Sequence, residues 1–345
     1  MFDNPFGLIL GGDPKRLRAA HKEFTGLPVD RDFSDDPLPE MPLRQRTIAR
    51  PVSVQGPGTF LGKATRTLRF EPMDKPGWWF NRDDLPDTLP VRVSIRNVWN
   101  TGQVVSNIVL RSGSPHNYVR LVEHIIALKL GTGIHNLMIR TDSGDPPLLT
   151  RYGLEILEAL DSAGFRETER PVLYFTVRER VTLAGSQGAF LTLSPFNGPS
   201  PVLRIDCGVN FPTAIGRQRI VFPVNDKNFR MGSEARTNTT LLKMLYCKTV
   251  GKLFADVRNL GYNIDNVQVA GRFGYLNKPK LIHEGKSLEA VWHRASLDLL
   301  AALALIEEGT FIGDAASYMA GHRLDVRLIR LLYQKNLLVK VPIPE

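Results

Sequence analysis

The sequence predicts an α+β fold made of two successive cycles, each a run of strands followed by helices. Three observations carry this. Strands and helices are segregated rather than alternating regularly, which argues against a doubly wound sheet. The chain has 345 residues, enough for about two domains. Its content is 43% hydrophobic and 23% charged, the profile of a folded globular chain rather than a disordered one.

Residues 1–43 read as an N-terminal extension. Asp13-Pro14 is an N-cap and first-turn pair, so a short helix is expected over Lys15–Phe24. Gly26–Pro42 is rich in Pro and Asp and reads as a linker or as a segment draped on a surface. The first cycle spans 44–167. Thr47–Val54, Ala64–Phe70, Leu89–Trp99, Val104–Leu110 and His135–Thr141 pattern as strands. Trp78, Trp79 and Phe80 suit packing in a strand. Tyr118–Leu130 and Gly153–Ala163 pattern as helices, with Val122, Ile125, Ile126 and Leu128 giving the first an apolar face. The second cycle spans 168–341. Its strands are expected at Val172–Leu183, Ala189–Leu193, Val202–Ile205, Gln218–Val224 and Val267–Val269. Its helices are expected within Asn238–Asn259, over Ser287–Glu307 and over Arg323–Gln334.

The formal net charge is 44 minus 35, or +9, which favours an anionic partner without choosing among phosphorylated metabolites, nucleic acids and lipid surfaces. No nucleic-acid-binding motif accompanies the charge, so nucleic acid is the minor reading. Two cysteines, Cys207 and Cys247, make no CxxC and no disulfide framework. No apolar run approaches the roughly 18 residues of a membrane span. Phe6–Leu10 is too short for a signal-peptide core. The expected location is the cytoplasm, with peripheral contact at the inner face of a membrane as a further option.

Seven histidines are present, without an HExxH pattern. Glu123-His124 lies in an apolar segment, where an ordinary helix-edge histidine is the bland alternative to a base beside a metal ligand. On a regular helix His293 and Asp298 stand about 140° apart, and Arg294 with Asp298 forms the i,i+4 pair. Only a π-bulge, which is rare but recurrent at functional sites, would bring His293 and Asp298 to one face.

Several segments occur together in one order. They are Gln45-Arg46-Thr47-Ile48, Gly56-Pro57-Gly58 with Gly62-Lys63, Val122-Glu123-His124, and Gly131-Thr132-Gly133-Ile134-His135-Asn136-Leu137. Pro146-Pro147-Leu148-Leu149, Ala214–Arg219, Ala235-Arg236-Thr237, His293-Arg294 and Ala320-Gly321-His322 follow. This series resembles the zinc-dependent UDP-3-O-acyl-N-acetylglucosamine deacetylases of lipid A biosynthesis, over about residues 44–335. The resemblance implies two similar domains, each a sheet layer with two helices, the helices sandwiched between the sheets. It implies an inserted βαβ unit within about 242–277 that forms an acyl passage. It implies Zn2+ as cofactor and a UDP-linked acylated amino sugar as substrate. By position, Glu123 is the general base, Thr237 an oxyanion partner and His322 the general acid. His124 and His293 are metal ligands, with Asp298 the candidate third. Arg294 and Lys63 are substrate-binding.

The sequence departs from the family pattern at the third ligand, where Leu297 stands four residues after His293. Ala301-Ala302 occupies the neighbourhood of a second family aspartate. Thr150-Arg151-Tyr152 replaces Asp-Gly-Ser. Two readings remain open on the sequence. One is an active zinc deacetylase completed by Asp298. The other is a catalytically degenerate relative with a binding or regulatory role, in which Arg294 pairs with Asp298.

Overall fold

The computed structural model describes residues 4–39, 41–102, 107–198, 201–249, 261, 263–307 and 309–342. In chain order the extension forms β1 (Leu8–Gly11), α1 (Pro14–Thr25) and β2 (Arg31–Asp32). The first half continues with β3 (Arg44–Ile48), β4 (Val52–Pro57), β5 (Thr65–Pro72), β6 (Gly77–Arg82), β7 (Val91–Arg92), β8 (Val98–Asn100), β9 (Val109–Arg111) and β10 (Tyr118–Arg120). Two short helices, α2 (Glu123–Ile126) and α3 (Leu128–Gly131), precede β11 (Asn136–Thr141), α4 (Tyr152–Ala163) and β12 (Phe165–Pro171).

The second half opens with β13 (Tyr174–Val177), β14 (Val181–Ala184), β15 (Phe190–Ser194), β16 (Leu203–Phe211) and β17 (Gly216–Pro223). Then come α5 (Asp226–Ser233), β18 (Thr237–Thr239), α6 (Leu241–Lys248) and β19 (Val267–Val269). A small hairpin pairs β20 (Ile282–His283) with β21 (Lys286–Ser287). One interrupted helix follows: α7 (Glu289–Trp292), a π-helical segment (His293–Leu299) and α8 (Leu300–Leu303). The chain closes with β22 (Thr310–Phe311), β23 (Gly313–Tyr318), α9 (His322–Gln334) and β24 (Leu338–Val341).

The two main sheets have orders β4-β5-β11-β6-β7 and β1-β14-β15-β23-β16-β17-β2. Helices of both halves lie between them: α4 packs on β4, α7 on β17, α9 on β15, and α2 against α8 and the π segment. One continuous apolar core joins Leu68, Phe70, Trp78 and Phe80 of the first sheet to Leu191, Ile205 and Phe222 of the second, through Ile125, Leu157, Leu300 and Leu328 of the helices. The α+β class and the layered arrangement agree with the sequence.

Two glycines let the halves approach. A Cβ on Gly131 would lie 2.3 Å from the Phe229 ring of α5. A Cβ on Gly232 would lie 2.0 Å from Ser296 Oγ in the π segment. No larger residue fits either position without moving its neighbour.

The extension is an ordered strap. Asp13 caps α1 by accepting from the backbone N–H of Lys15 and Arg16, with Pro14 in the first turn, as its sequence demands. β1 pairs in parallel with β14 and β2 with β17, so the strap closes both edges of the second sheet. Between them, Leu17, Ala20, Phe24 and Leu27 pack with Phe190 and Tyr318 on the sheet's outer face.

Several local expectations change. Tyr118–Leu130 is not one helix: Tyr118–Arg120 is a strand, Leu121 has φ +54°, and two short helices follow. Thr47–Val54 breaks before Pro51 into β3 and β4. Val172–Leu183 is two strands, and β12 crosses the expected boundary at 167/168 to pair with β3. Ser287–Glu307 is shorter and carries the π segment. The segment from Asn238 is helical over Leu241–Lys248; residues 250–260 and 262 of the expected insert, and 103–106 of an expected strand, lie outside the described residues. β18 and β19 pair in parallel around α6, which is a βαβ unit.

Candidate active site

Three elements bring polar side chains together between the sheets. α2 begins at Glu123, so Glu123 and His124 leave its first turn. The π segment begins at His293. α9 begins at His322, directly after Gly321, whose extended backbone turns the chain into the helix.

His124 Nε2 and His293 Nε2 lie 2.9 Å apart. Thr237 Oγ1 is 3.0 Å from the same His293 nitrogen. Asp298 Oδ1 is 3.5 Å from His293 Nδ1 and 3.4 Å from His322 Nε2, and it has no hydrogen bond. Glu123 Oε1 is 3.7 Å from His322 Nε2 and accepts the backbone N–H of Ile108. The cluster therefore contains Glu123, His124, Thr237, His293, Asp298 and His322, from both halves of the chain.

The π segment is the device that brings His293 and Asp298 together. A regular helix would place them about 140° apart. The wider turn returns residue i+5 to the face of residue i. The expected Arg294–Asp298 pair is absent for the same reason. Arg294 is buried and gives both terminal nitrogens to Asp325 instead, at 2.7 Å each. The expected substrate-facing role of Arg294 is thereby corrected, because its fork is occupied inside the core.

Burial sets the proton affinities. It pushes Glu123 above the usual carboxylate range, against the opposing influence of His322. Burial, then the neighbouring His293, lowers His124 to about 3. Burial lowers His293 too, although Asp298 pulls the other way. Burial also pushes Asp298 up, but His293, His322 and Arg294 outweigh it and hold the carboxyl below its usual range. The site thus presents two neutral imidazoles, a carboxylate in Asp298 and a carboxyl with raised proton affinity in Glu123.

The donor chemistry suits a divalent transition metal: two neutral imidazole nitrogens facing one point and a buried carboxylate oxygen without a hydrogen bond. The geometry stops short of a complete ligand set. Among the described residues no three His, Cys, Asp or Glu side chains are gathered as metal ligands. Asp298 meets His293 on its Nδ1 side. The residues expected as ligands, His124, His293 and Asp298, stand in one neighbourhood, with two nitrogens facing each other and the carboxylate beside the second ring.

Two buried ion pairs near the cluster went unread in the sequence. Arg236 donates to Glu289 at 2.6 and 3.1 Å, tying Thr237 to the helix of His293. Arg294 with Asp325 ties that helix to α9. The readable signals were acids on the apolar faces of helices, at Glu289 and three residues after His322. Lys63 is not among the contacts of the cluster. It lines a cavity of about 380 Å³ with Gly58, Thr59, Arg66, Tyr118 and Asp145. Asp145 there is paired with Arg120 and accepts from Thr59, so Lys63 and Arg66 dominate the charge.

The model of the LpxC family, UDP-3-O-acyl N-acetylglycosamine deacetylase, matches residues 45–334. Similar curated proteins are the UDP-3-O-acyl-N-acetylglucosamine deacetylases of Brucella ovis, Brucella canis and Brucella melitensis biotype 2. Each is 30% identical over 294 residues, covering 84% of this chain and 94% of the relative.

Proposed function

Because the chain belongs to the LpxC family of UDP-3-O-acyl-N-acetylglucosamine deacetylases, we propose that it removes the N-acetyl group from a UDP-linked 3-O-acylated amino sugar in lipid A biosynthesis. The observation that carries this is the meeting of Glu123, His124, Thr237, His293, Asp298 and His322 despite the altered spacing at Asp298. In the degenerate alternative Arg294 would take Asp298; here Asp325 holds Arg294 and Asp298 faces the histidines.

His124 and His293 would hold Zn2+, with Asp298 as the remaining carboxylate donor. Bound zinc supplies Lewis acidity at the amide carbonyl and activates water. Glu123 takes the proton of the attacking water, and its raised proton affinity moves it toward the pH at which a base works best. The Thr237 hydroxyl stands beside His293 Nε2 and donates to the oxyanion as it forms. His322 delivers a proton to the departing amine. The Lys63–Arg66 pocket suits the anionic diphosphate.

Among the described residues no helix is long and apolar enough to cross a membrane. Peripheral contact with a bilayer is supported by Leu242 and Phe273, which are 80% and 91% exposed, and by the Arg272 guanidinium 5.2 Å from the Phe273 ring centroid.

The test is release of the free amine from UDP-3-O-acyl-N-acetylglucosamine by zinc-loaded protein. Turnover that falls on the order of 10²- to 10⁴-fold in Glu123→Gln is expected for loss of a general base. Absence of turnover in the wild-type protein, with substrate still bound, would overturn hydrolysis.

A further inference from the structure

Arg294 follows His293 directly, and Asp325 stands one helical turn after His322. Their side chains meet inside the core. Arg294 Nη1 donates to Asp325 Oδ2 at 2.7 Å and Nη2 to Oδ1 at 2.7 Å. Nη2 also donates to Ser317 Oγ on β23 at 3.0 Å. Arg294 is 4% exposed and Asp325 0%. Two parallel bonds to a planar fork admit one orientation only, and three elements are joined at this point: the π segment, the central strand β23 and α9.

The position of this pair has two consequences for the cluster. In a regular helical register Arg294 and Asp298 would be i,i+4 neighbours and natural partners. With Arg294 captured by Asp325, Asp298 is left to His293 and His322. The same bonds fix the first turn of α9, from which His322 reaches toward Glu123 and Asp298.

We propose that the Arg294–Asp325 pair is a positioning lock: it holds the π register that turns Asp298 to His293, and it seats the helix that carries His322. The inference deepens the deacetylase reading and rests on it for its kinetic readout. Neither residue touches the reacting atoms. The lock acts through Asp298 and His322, as outer-shell partners act on metal ligands and acid–base groups.

The lock predicts an unusual order of variants. Asp325→Asn weakens the fork and frees Arg294 to compete for Asp298. The double variant Arg294→Met/Asp325→Leu removes the competitor together with the lock and leaves no lone buried charge. Zinc affinity by chelator competition is therefore expected to fall about tenfold or more in Asp325→Asn, and less in the double variant. kcat is expected to fall with it, while KM stays within about twofold, since the substrate pocket is untouched. Arg294→Lys keeps the cation and part of the bonding, and should lie between wild type and Asp325→Asn; it also serves where Asp325→Asn fails to fold. Folded variants that keep zinc affinity and kcat within about twofold of wild type would overturn the lock.

Failure of the deacetylase reading is a separate outcome, seen as a wild-type protein with neither zinc uptake nor turnover. The lock is then read in metal-free protein from the imidazole ring signals of His293 and His322 in ¹H–¹⁵N spectra. Displacement of those signals in Asp325→Asn or Arg294→Lys supports it; coincidence with wild type overturns it.

Discussion

The two main sheets face the same helices, yet their other sides differ. In the first sheet the outer side is left partly to solvent. β4 alternates, with Ser53, Gln55 and Pro57 exposed, and β6 buries Trp78 and Phe80 while Trp79 between them is half-buried. In the second sheet every residue of β14 is buried, and so are Phe190–Leu193 of β15. Val181, Leu183, Leu191 and Leu193 face the main core, whereas Ala184 and Phe190 face the strap. Thr182 completes the covered side by donating to the Phe6 carbonyl at 2.7 Å. Strands covered on one side keep their period-2 pattern, and β14 and β15, covered on both, lose it; β16, β17 and β23 of the same sheet still largely alternate. The N-terminal strap is what makes the difference.

Removing residues 1–39 is the strongest way to break that comparison. Phe6, Leu17, Phe24 and Leu27 leave the outer cluster together. At about 1.5–3 kcal/mol for each such side chain, the loss reaches the scale of a whole domain's stability. The truncated chain is expected to be insoluble or to melt more than about 10 °C lower. A melting temperature within about 2 °C of the full chain would show that the strap is merely laid on the sheet. Phe24→Ala probes the same face in the intact chain. It should cost about 3–5 kcal/mol in denaturant unfolding, because Phe24 is 3% exposed and meets Phe190 edge-on at 5.5 Å.

This contrast also explains what the sequence could disclose. The helix over Lys15–Phe24 was legible because its cap and first-turn proline are local signals. Its destination was not, since β1 and β2 are too short to pattern. β23 was missed although it sits at the centre of the second sheet. Its Gly313-Asp314-Ala315-Ala316-Ser317 run has no β-branched or large apolar residue to announce a strand. At the site, Glu123, His124, His293 and His322 were legible through their neighbours in sequence. The relation of His293 to Asp298 was not, because spacing alone cannot reveal a π turn. The partner of Asp325 was not legible, because it lies 31 positions away.

Acid acts on both halves in the same direction. In the first, His135 accepts the Arg46 backbone N–H at Nδ1, which requires an unprotonated nitrogen. Burial, then Lys129 and Arg46, lowers its pKa to about 4. Unfolded histidine titrates near 6.5. The folded form thus binds fewer protons, and this stabilisation is present above pH 6.5 and lost as pH falls toward 4. His21 in the strap is lowered as well, by burial, then Arg219 and Arg180, so its contribution has the same sign. Unfolding free energies at pH 7 and 4.5 should show wild type losing about 2 kcal/mol more than His135→Asn over that interval. Equal acid sensitivity in the two would remove His135 from the account.

The smallest expected effect lies within a single strand of the first sheet. Trp78 and Trp79 are neighbours with opposite fates, because successive side chains of a strand point to opposite faces. Trp78 is 0% exposed and donates its indole N–H to the Ile134 carbonyl at 2.8 Å. Trp79 faces outward, with Lys75 Nζ 3.6 Å and Arg92 Cζ 5.5 Å from its ring centroid. Such cation–ring contacts at an accessible site are worth about 0.5–1 kcal/mol. Trp79→Ala is therefore expected to cost roughly 1–2 kcal/mol, against about 3–5 for Trp78→Ala. Urea unfolding of both variants gives the difference directly. A cost for Trp79→Ala equal to that of Trp78→Ala would mean that the outer side of this sheet, too, is covered in solution, and that the contrast with the strapped sheet is one of partner rather than of exposure.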